Sequence, residues 1–239
     1  MAVQRSWLAR RVESALKRGF EQAYETVRVD PGHYLLTVRL AHDLPIESFR
    51  SMFSVPMETL DALAQETIQA GMKMAAAEGA GLGLFGLVTL VPDLSILAAI
   101  TMRTVQKLSL IYGFEFNTDD EVAELWVAAA TAAGVDVSRE LVEKEILAPL
   151  VPRVIRRIAM QAGTEVSEKL AGRIVPVVSS AIGAGLNYVF VRAWGERAMR
   201  HFREKHLRMR EKMQEPIPPQ LPSRAGSHEV HEGPTKVAE

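Results

Sequence analysis

The segment GAGLGLFGLVTLVPDLSILAAITM, residues 79–102, decides how this chain is interpreted. It contains GLGLFG, which matches the GxGxxG pattern of dinucleotide-binding folds. That pattern binds a dinucleotide when a strand leads into the glycines and an acidic residue follows about 20 positions later. Here the residues upstream, 57–78, have helical periodicity, and Asp93 follows Gly86 by only seven positions. We therefore interpret the glycines as residues that pack helices together.

Small residues recur at every fourth position in this region, at Ala75, Gly79 and Gly83. Such spacing lets helices approach each other closely. A second uncharged run, IVPVVSSAIGAGLNYVFV at residues 174–191, has the same small-residue spacing. We predict an all-α fold, a helical bundle with these two Gly/Ala-rich apolar helical segments (about 79–102 and 174–191) at its centre.

Residues 79–102 are also long enough to cross a bilayer as a helix, but Pro92 and Asp93 lie in their middle, where a charge is costly. A plain membrane span is therefore not expected. Two alternatives stay open, a re-entrant hairpin of two short helices or the buried centre of a soluble bundle.

The composition narrows the class of protein. The chain has 239 residues and no cysteine, which excludes disulfides, thiolate catalysis and Cys-ligated zinc. Its formal net charge of −1 argues against a nucleic-acid partner. Charged residues interrupt the apolar positions of residues 1–20, so no signal peptide is expected. We expect a cytoplasmic protein, with peripheral or monotopic attachment to the inner membrane as a further option.

Periodicity and turn residues divide the chain into three parts. Residues 1–54 are predicted to form an N-terminal amphipathic helix and a short connecting region, in which Tyr34 to Leu40 fits either a strand or a helix. Residues 55–213 form a helical domain, with Gly113 and Gly134 as helix stops and Thr118, Asp119 and Asp120 as capping candidates. Residues 214–239 are Pro-rich and lack aromatic residues, so we expect a disordered tail.

Catalytic and metal-binding patterns are weak. His201 and His206 are five positions apart, which does not direct both rings to one ion, and we interpret them as solvated. Ser179 and Ser180 have no base nearby in the sequence. We predict no catalytic residue, no metal ligand and no cofactor, and an enzyme ranks behind the two functions given below.

Two polar residues interrupt the apolar segments and each needs a partner, because an unpaired buried polar group costs several kcal/mol. Asp93 follows Pro92 and is predicted to cap the next helix by accepting hydrogen bonds from the backbone of Ser95 or Ile96. Asn187 is predicted to bridge to a neighbouring helix, with contact to a small polar ligand as the alternative.

A basic cluster, Arg153, Arg156 and Arg157, lies beside an apolar helical stripe and close in sequence to the second uncharged run. It fits either a solvated helix face or a contact with anionic lipid headgroups, which attract Lys and Arg by about 1 kcal/mol each.

Two longer stretches resemble the EcsC protein family. They are GLGLFGLVTLVPDLSILAAITMRTVQKLSLIYGFEF at 81–116 and KLAGRIVPVVSSAIGAGLNYVFVRAWGERAMRHFRE at 169–204. The shared features are a Gly-rich apolar entry, a Pro-Asp break, a helix ending in Tyr-Gly and a late Pro/Gly-rich segment ending in Asn-Tyr. The resemblance covers roughly residues 55–205. The family is named from a bacterial gene next to an ABC transporter operon, so the resemblance implies that context without an established biochemical activity.

Two functions are compatible with these observations. The first is a non-enzymatic, membrane-associated accessory or interaction protein, which docks on the inner membrane surface or on a membrane protein such as an ABC transporter. It would use its basic N-terminal and Arg153–Arg157 faces. The second is a soluble helical carrier that encloses an apolar or lipid-like ligand, with Asp93 or Asn187 orienting the polar end of that ligand.

Overall fold

Helices account for every regular element in the part of the chain that the computed structural model describes, residues 7–26, 28–82, 90–135, 151–171 and 180–214. The α-helices are α1 (Trp7–Thr26), α2 (Pro31–His42), α3 (Met57–Leu82), α4 (Leu90–Ile111), α5 (Asp119–Ala132), α6 (Val151–Ala171) and α7 (Ser180–Gln214). A 3-10 helix, Phe49–Ser54, precedes α3. The predicted all-α fold is confirmed.

Three helices, α3, α4 and α7, meet at a close seam. A Cβ placed on Gly71 of α3 would lie 2.6 Å from Oγ1 of Thr104 in α4 and 3.3 Å from Cγ1 of Val191 in α7. A Cβ on Gly195 of α7 would lie 2.8 Å from Ile68 of α3. Small residues at Gly71 and Gly195 therefore bring these helices together. Of the small residues that the sequence singled out, Ala75 is fully buried and Gly83 lies outside the described residues.

Helix α1 belongs to the same hydrophobic core as the rest of the bundle. Val12, Leu16 and Phe20 are fully buried in that core. The ring of Phe20 stacks on Trp194 of α7 at 5.5 Å between centroids and meets Trp126 of α5 edge-on at 6.2 Å. The boundary placed after residue 54 therefore does not separate two cores.

The predicted turns and caps around α5 are present. Gly113 and Gly134 adopt left-handed backbone conformations, with φ of 85° and 75°, which glycine tolerates best. Thr118 is the N-cap of α5, and its side chain and that of Glu121 form a reciprocal capping box. Thr118 thus has the predicted capping role, whereas Asp119 and Asp120 lie inside the helix.

The ambiguous segment from Tyr34 to Leu40 is helical. It lies within α2, whose N-cap Asp30 accepts a hydrogen bond of 2.7 Å from the backbone N–H of His33. Pro31 is the first residue of the helix, where its missing N–H costs nothing. Burial of Val38 fixes the inner face of α2 against the bundle.

Some predictions concern residues outside the described ranges, among them Gly83, the first part of the 174–191 run, and the tail after Gln214. The described parts of the two apolar segments belong to α3, α4 and α7, and Ile100, Met102, Phe190 and Val191 in these segments are buried. Within the described residues, no helix combines the length and the apolar character needed to cross a membrane.

Candidate functional site

The exposed face of α6 carries the basic cluster. Arg153, Arg156 and Arg157, called the α6 basic face below, are all exposed, while Ile158 and Ala159 of the same helix are fully buried. The other exposed positions between 151 and 164 are Pro152, Gln161 and Thr164. This part of α6 therefore presents positive charge to solvent without an exposed carboxylate or large apolar side chain.

Helix α1, which packs against α6, carries a second set of exposed basic side chains. Arg10, Lys17 and Arg18 are exposed on α1. The backbones of α1 and α6 approach closely, because a Cβ on Gly163 would lie 3.2 Å from Cα of Glu13. Lys17 forms an exposed ion pair with Glu21 at 3.5 Å, which neutralises part of this charge. The two basic faces that the sequence identified separately thus belong to neighbouring helices.

The α6 basic face lies in the first two turns of α6, whereas the second uncharged run follows the other end of this helix in the chain. Arg157 precedes Ala171, the last residue of α6, by fourteen positions. That separation is about 21 Å along a helix that rises about 1.5 Å per residue. The apolar stripe of α6 is buried in the core, so a contact through this face is electrostatic.

The two polar residues of the apolar segments have different settings. Asp93 lies inside α4, which already includes Leu90, so it does not occupy the predicted N-cap position, and its side chain is outside the described residues. Asn187 is half-buried, and its Nδ2 donates a long hydrogen bond of 3.4 Å to the carbonyl oxygen of Ala75. Asn187 therefore joins α7 to α3, which is the bridging geometry expected from the sequence.

A polar cluster that the sequence did not predict joins α3 and α7 to Tyr112, the residue that follows α4. The hydroxyl of Tyr112 donates a 2.7 Å hydrogen bond to Oδ1 of Asp61. Nε of Arg203 donates to Oδ2 of Asp61 at 3.0 Å. Burial, and then the hydrogen bond to Asp61, raises the pKa of the Tyr112 phenol. The phenol therefore stays protonated and acts as a structural donor.

His206 lies next to this cluster and is fully buried, so its interpretation as a solvated residue was wrong. Its Nδ1 donates to the carbonyl oxygen of Tyr112 at 2.9 Å, and its ring stacks on Phe53 of the 3-10 helix with centroids 4.5 Å apart. Burial lowers the pKa of His206, and the bond to Tyr112 only partly opposes that effect. Nε2 of the neutral ring has no hydrogen-bond partner among the described residues.

No local signal in the sequence identifies this cluster. Asp61 and Arg203 lie in charged, amphipathic helices where each resembles an ordinary surface residue, and 142 positions separate them. His206 is flanked by Lys205 and Leu207 in a helix rich in charge, which is the usual context of a solvated histidine. The described residues hold no group of three or more His, Asp or Glu side chains placed to bind a metal.

Comparison with known proteins agrees with the resemblance read from the motifs. A family model described as the EcsC protein family matches residues 5–207. The chain is similar to Protein EcsC of Bacillus subtilis (strain 168), with 24% identity over 204 residues that cover 84% of the chain and 85% of that protein. No solved structure matches the chain. The match begins at residue 5, so α1 and α2 also fall within the family region, which the motifs had placed at about 55–205.

Proposed function

Because the chain belongs to the EcsC protein family, we propose that it is an accessory protein that docks on an anionic membrane surface. The observation that carries this proposal is the presence of exposed basic side chains on two helices that pack against each other, α1 and α6. The α6 basic face has no exposed carboxylate between residues 151 and 164 to neutralise it. Anionic lipid surfaces attract such arginines by about 1 kcal/mol each.

The contact is predominantly electrostatic. The exposed positions of α6 between 151 and 164 include no large apolar side chain that would insert among acyl chains. Three arginines near an anionic surface then contribute about 3 kcal/mol, or roughly a hundredfold in affinity. Salt weakens such binding strongly, because the Debye length falls from about 10 Å at 0.1 M to about 3 Å at 1 M.

The test compares binding of the full-length chain to vesicles with and without anionic lipid. Changing the α6 basic face to three glutamines should weaken binding to anionic vesicles by roughly a hundredfold at low salt, and leave binding to neutral vesicles unchanged. A matched control replaces Arg39, Arg200 and Arg208, which are exposed on other helices, with glutamine. Both variants lose the same charge, so equal losses would mean that net charge alone governs binding and that the α6 basic face has no special role.

The proposal that the membrane-bound partner is an ABC transporter rests on the family context alone. The basic faces suit an acidic protein surface as well as anionic lipid. Binding of wild type to neutral and anionic vesicles alike, or to neither, would rule out electrostatic docking on lipid and leave a protein partner.

The alternative is a soluble carrier with an apolar ligand between α3, α4 and α7. These helices are in direct contact at Gly71 and Gly195. The side-chain amide of Asn187 is bonded to Ala75 rather than directed into a ligand space. Co-purification of an apolar molecule with the full-length chain would favour the carrier over the docking protein.

A further inference from the structure

An open cleft of about 590 Å³ lies between the segment that joins α2 to α3, which includes the 3-10 helix, and the end of α7. Its polar lining consists mainly of two arginines and three serines, Arg50, Arg210, Ser48, Ser51 and Ser54. None of the described residues that line it is Asp or Glu. The cleft is therefore a concave surface with positive charge and hydroxyl groups.

Both arginines are available to a ligand. Arg50 is exposed and Arg210 is half-buried. Neither forms an ion pair with a described residue, whereas Arg203, two turns before Arg210, is bonded to Asp61. A guanidinium has five N–H donors in a planar fork that matches the oxygens of a phosphate group. Two such groups on one cleft suit an oxyanion.

The serine hydroxyls add neutral donors. Oγ of Ser48 lies 3.2 Å from Oγ of Ser51. Ser48 precedes the 3-10 helix but makes no capping hydrogen bond with its side chain. A hydroxyl both donates and accepts, so one of this pair can bond the other and still offer a donor to a bound oxygen.

Most of the remaining lining is apolar. Phe53, whose ring stacks on the buried His206, lines the cleft together with Leu44, Val55 and Met213. Met213 is 46% exposed. An inorganic ion would use only the polar side of this cleft, whereas an esterified phosphate would also contact the apolar wall.

We propose that this cleft binds a phosphate ester through Arg50 and Arg210. The phosphate belongs either to a phospholipid headgroup or to a small soluble phosphorylated molecule. The site is distinct from the α6 basic face, so soluble probes test it independently of membrane docking.

Isothermal titration calorimetry of the full-length chain tests the proposal, with inorganic phosphate as the first probe and chloride used to hold ionic strength constant. Arg50→Gln combined with Arg210→Gln should weaken phosphate binding by about tenfold for each arginine removed. The control, Arg39→Gln combined with Arg200→Gln, removes the same charge from exposed positions outside the cleft and should change binding by less than about twofold. Ser51→Ala serves as a third variant, with an expected loss of about fivefold.

A second probe is a short-chain phosphatidic acid below its critical micelle concentration. It distinguishes a phospholipid headgroup from a small soluble phosphorylated molecule as the ligand. Tighter binding of this lipid than of inorganic phosphate indicates a lipid headgroup. Binding of the lipid that is no tighter leaves a small soluble phosphorylated molecule as the ligand. The proposal is overturned if neither probe binds, or if the cleft variant and the control bind phosphate equally well. The unfolding midpoint of each variant without ligand shows whether a loss of binding reflects a loss of folding.

Discussion

Replacing Gly71 with alanine is expected to destabilise the bundle, because the new methyl group has no room at the seam of α3, α4 and α7. The added Cβ would lie 2.6 Å from Oγ1 of Thr104, closer than ordinary van der Waals contact. Cγ1 of Val191 would lie 3.3 Å away, so α3 cannot shift toward α7 to relieve the overlap. Oγ1 of Thr104 donates to the carbonyl oxygen of Ile100 at 2.9 Å, which holds this side chain in place.

The size of the effect follows from two opposing terms. Gly to Ala in a helix interior stabilises by about 1 kcal/mol, since glycine has more conformational freedom to lose on folding. Overpacking a close contact costs about 1–3 kcal/mol. Gly185 of α7 isolates the first term, because a Cβ there meets nothing within 4 Å and the residue is exposed. Gly185→Ala should therefore raise the free energy of unfolding. The free energy of unfolding of Gly71→Ala should be about 1–3 kcal/mol lower than that of Gly185→Ala.

Urea unfolding of both variants and wild type measures this difference as a change in the free energy of unfolding. Adding Thr104→Ala to Gly71→Ala removes the overlapping oxygen, so the two changes should be less destabilising together than the sum of their separate effects. If Gly71→Ala is as stable as Gly185→Ala, or if the two seam changes are simply additive, the seam is not closely packed.

Three further perturbations test other parts of the structure. Burial lowers the pKa of His206 below its ordinary value of 6.5. Near that pH the folded state therefore binds fewer protons than the unfolded chain. The free energy of unfolding should then fall as the pH drops below about 6.5. In urea titrations, His206→Gln should have a smaller pH dependence over that range. Asp61→Asn should cost about 1–2 kcal/mol in the same assay, because it weakens the bonds from Tyr112 and Arg203 across a half-exposed site. Ending the chain at Gln214 should leave the thermal midpoint within about a degree, because residues 215–239 contain few apolar side chains.

Each of these results can contradict its premise. If the free energy of unfolding of His206→Gln depends on pH as strongly as that of wild type, other groups cause the acid sensitivity. If Asp61→Asn leaves the free energy of unfolding unchanged, water replaces the hydrogen bonds of the cluster. A drop of several degrees on truncation would place part of the tail in the folded core.

Local sequence was sufficient where local physics decides the structure. Thr118 caps α5 through its own turn, and the positive φ of Gly134 ends it, so both were predicted. The apolar period of α6 likewise placed Arg153, Arg156 and Arg157 on the exposed side. The sequence did not decide between a strand and a helix for residues 34–40, because a short apolar run fits the periodicity of both. Packing of Tyr34 and Val38 on the bundle stabilises this segment as helix α2.

The sequence by itself therefore determined the helical class, the N-cap of α5 and the exposed side of the strongly amphipathic α6. Only the tertiary structure decided that α1 lies against α6, that His206 is buried beside Tyr112, and that Arg50 and Arg210 share one cleft. The physical reason is that periodicity specifies which side of a helix must leave water, because apolar burial is non-directional. Which helix covers that side depends on the complementary shapes of residues far apart in the chain.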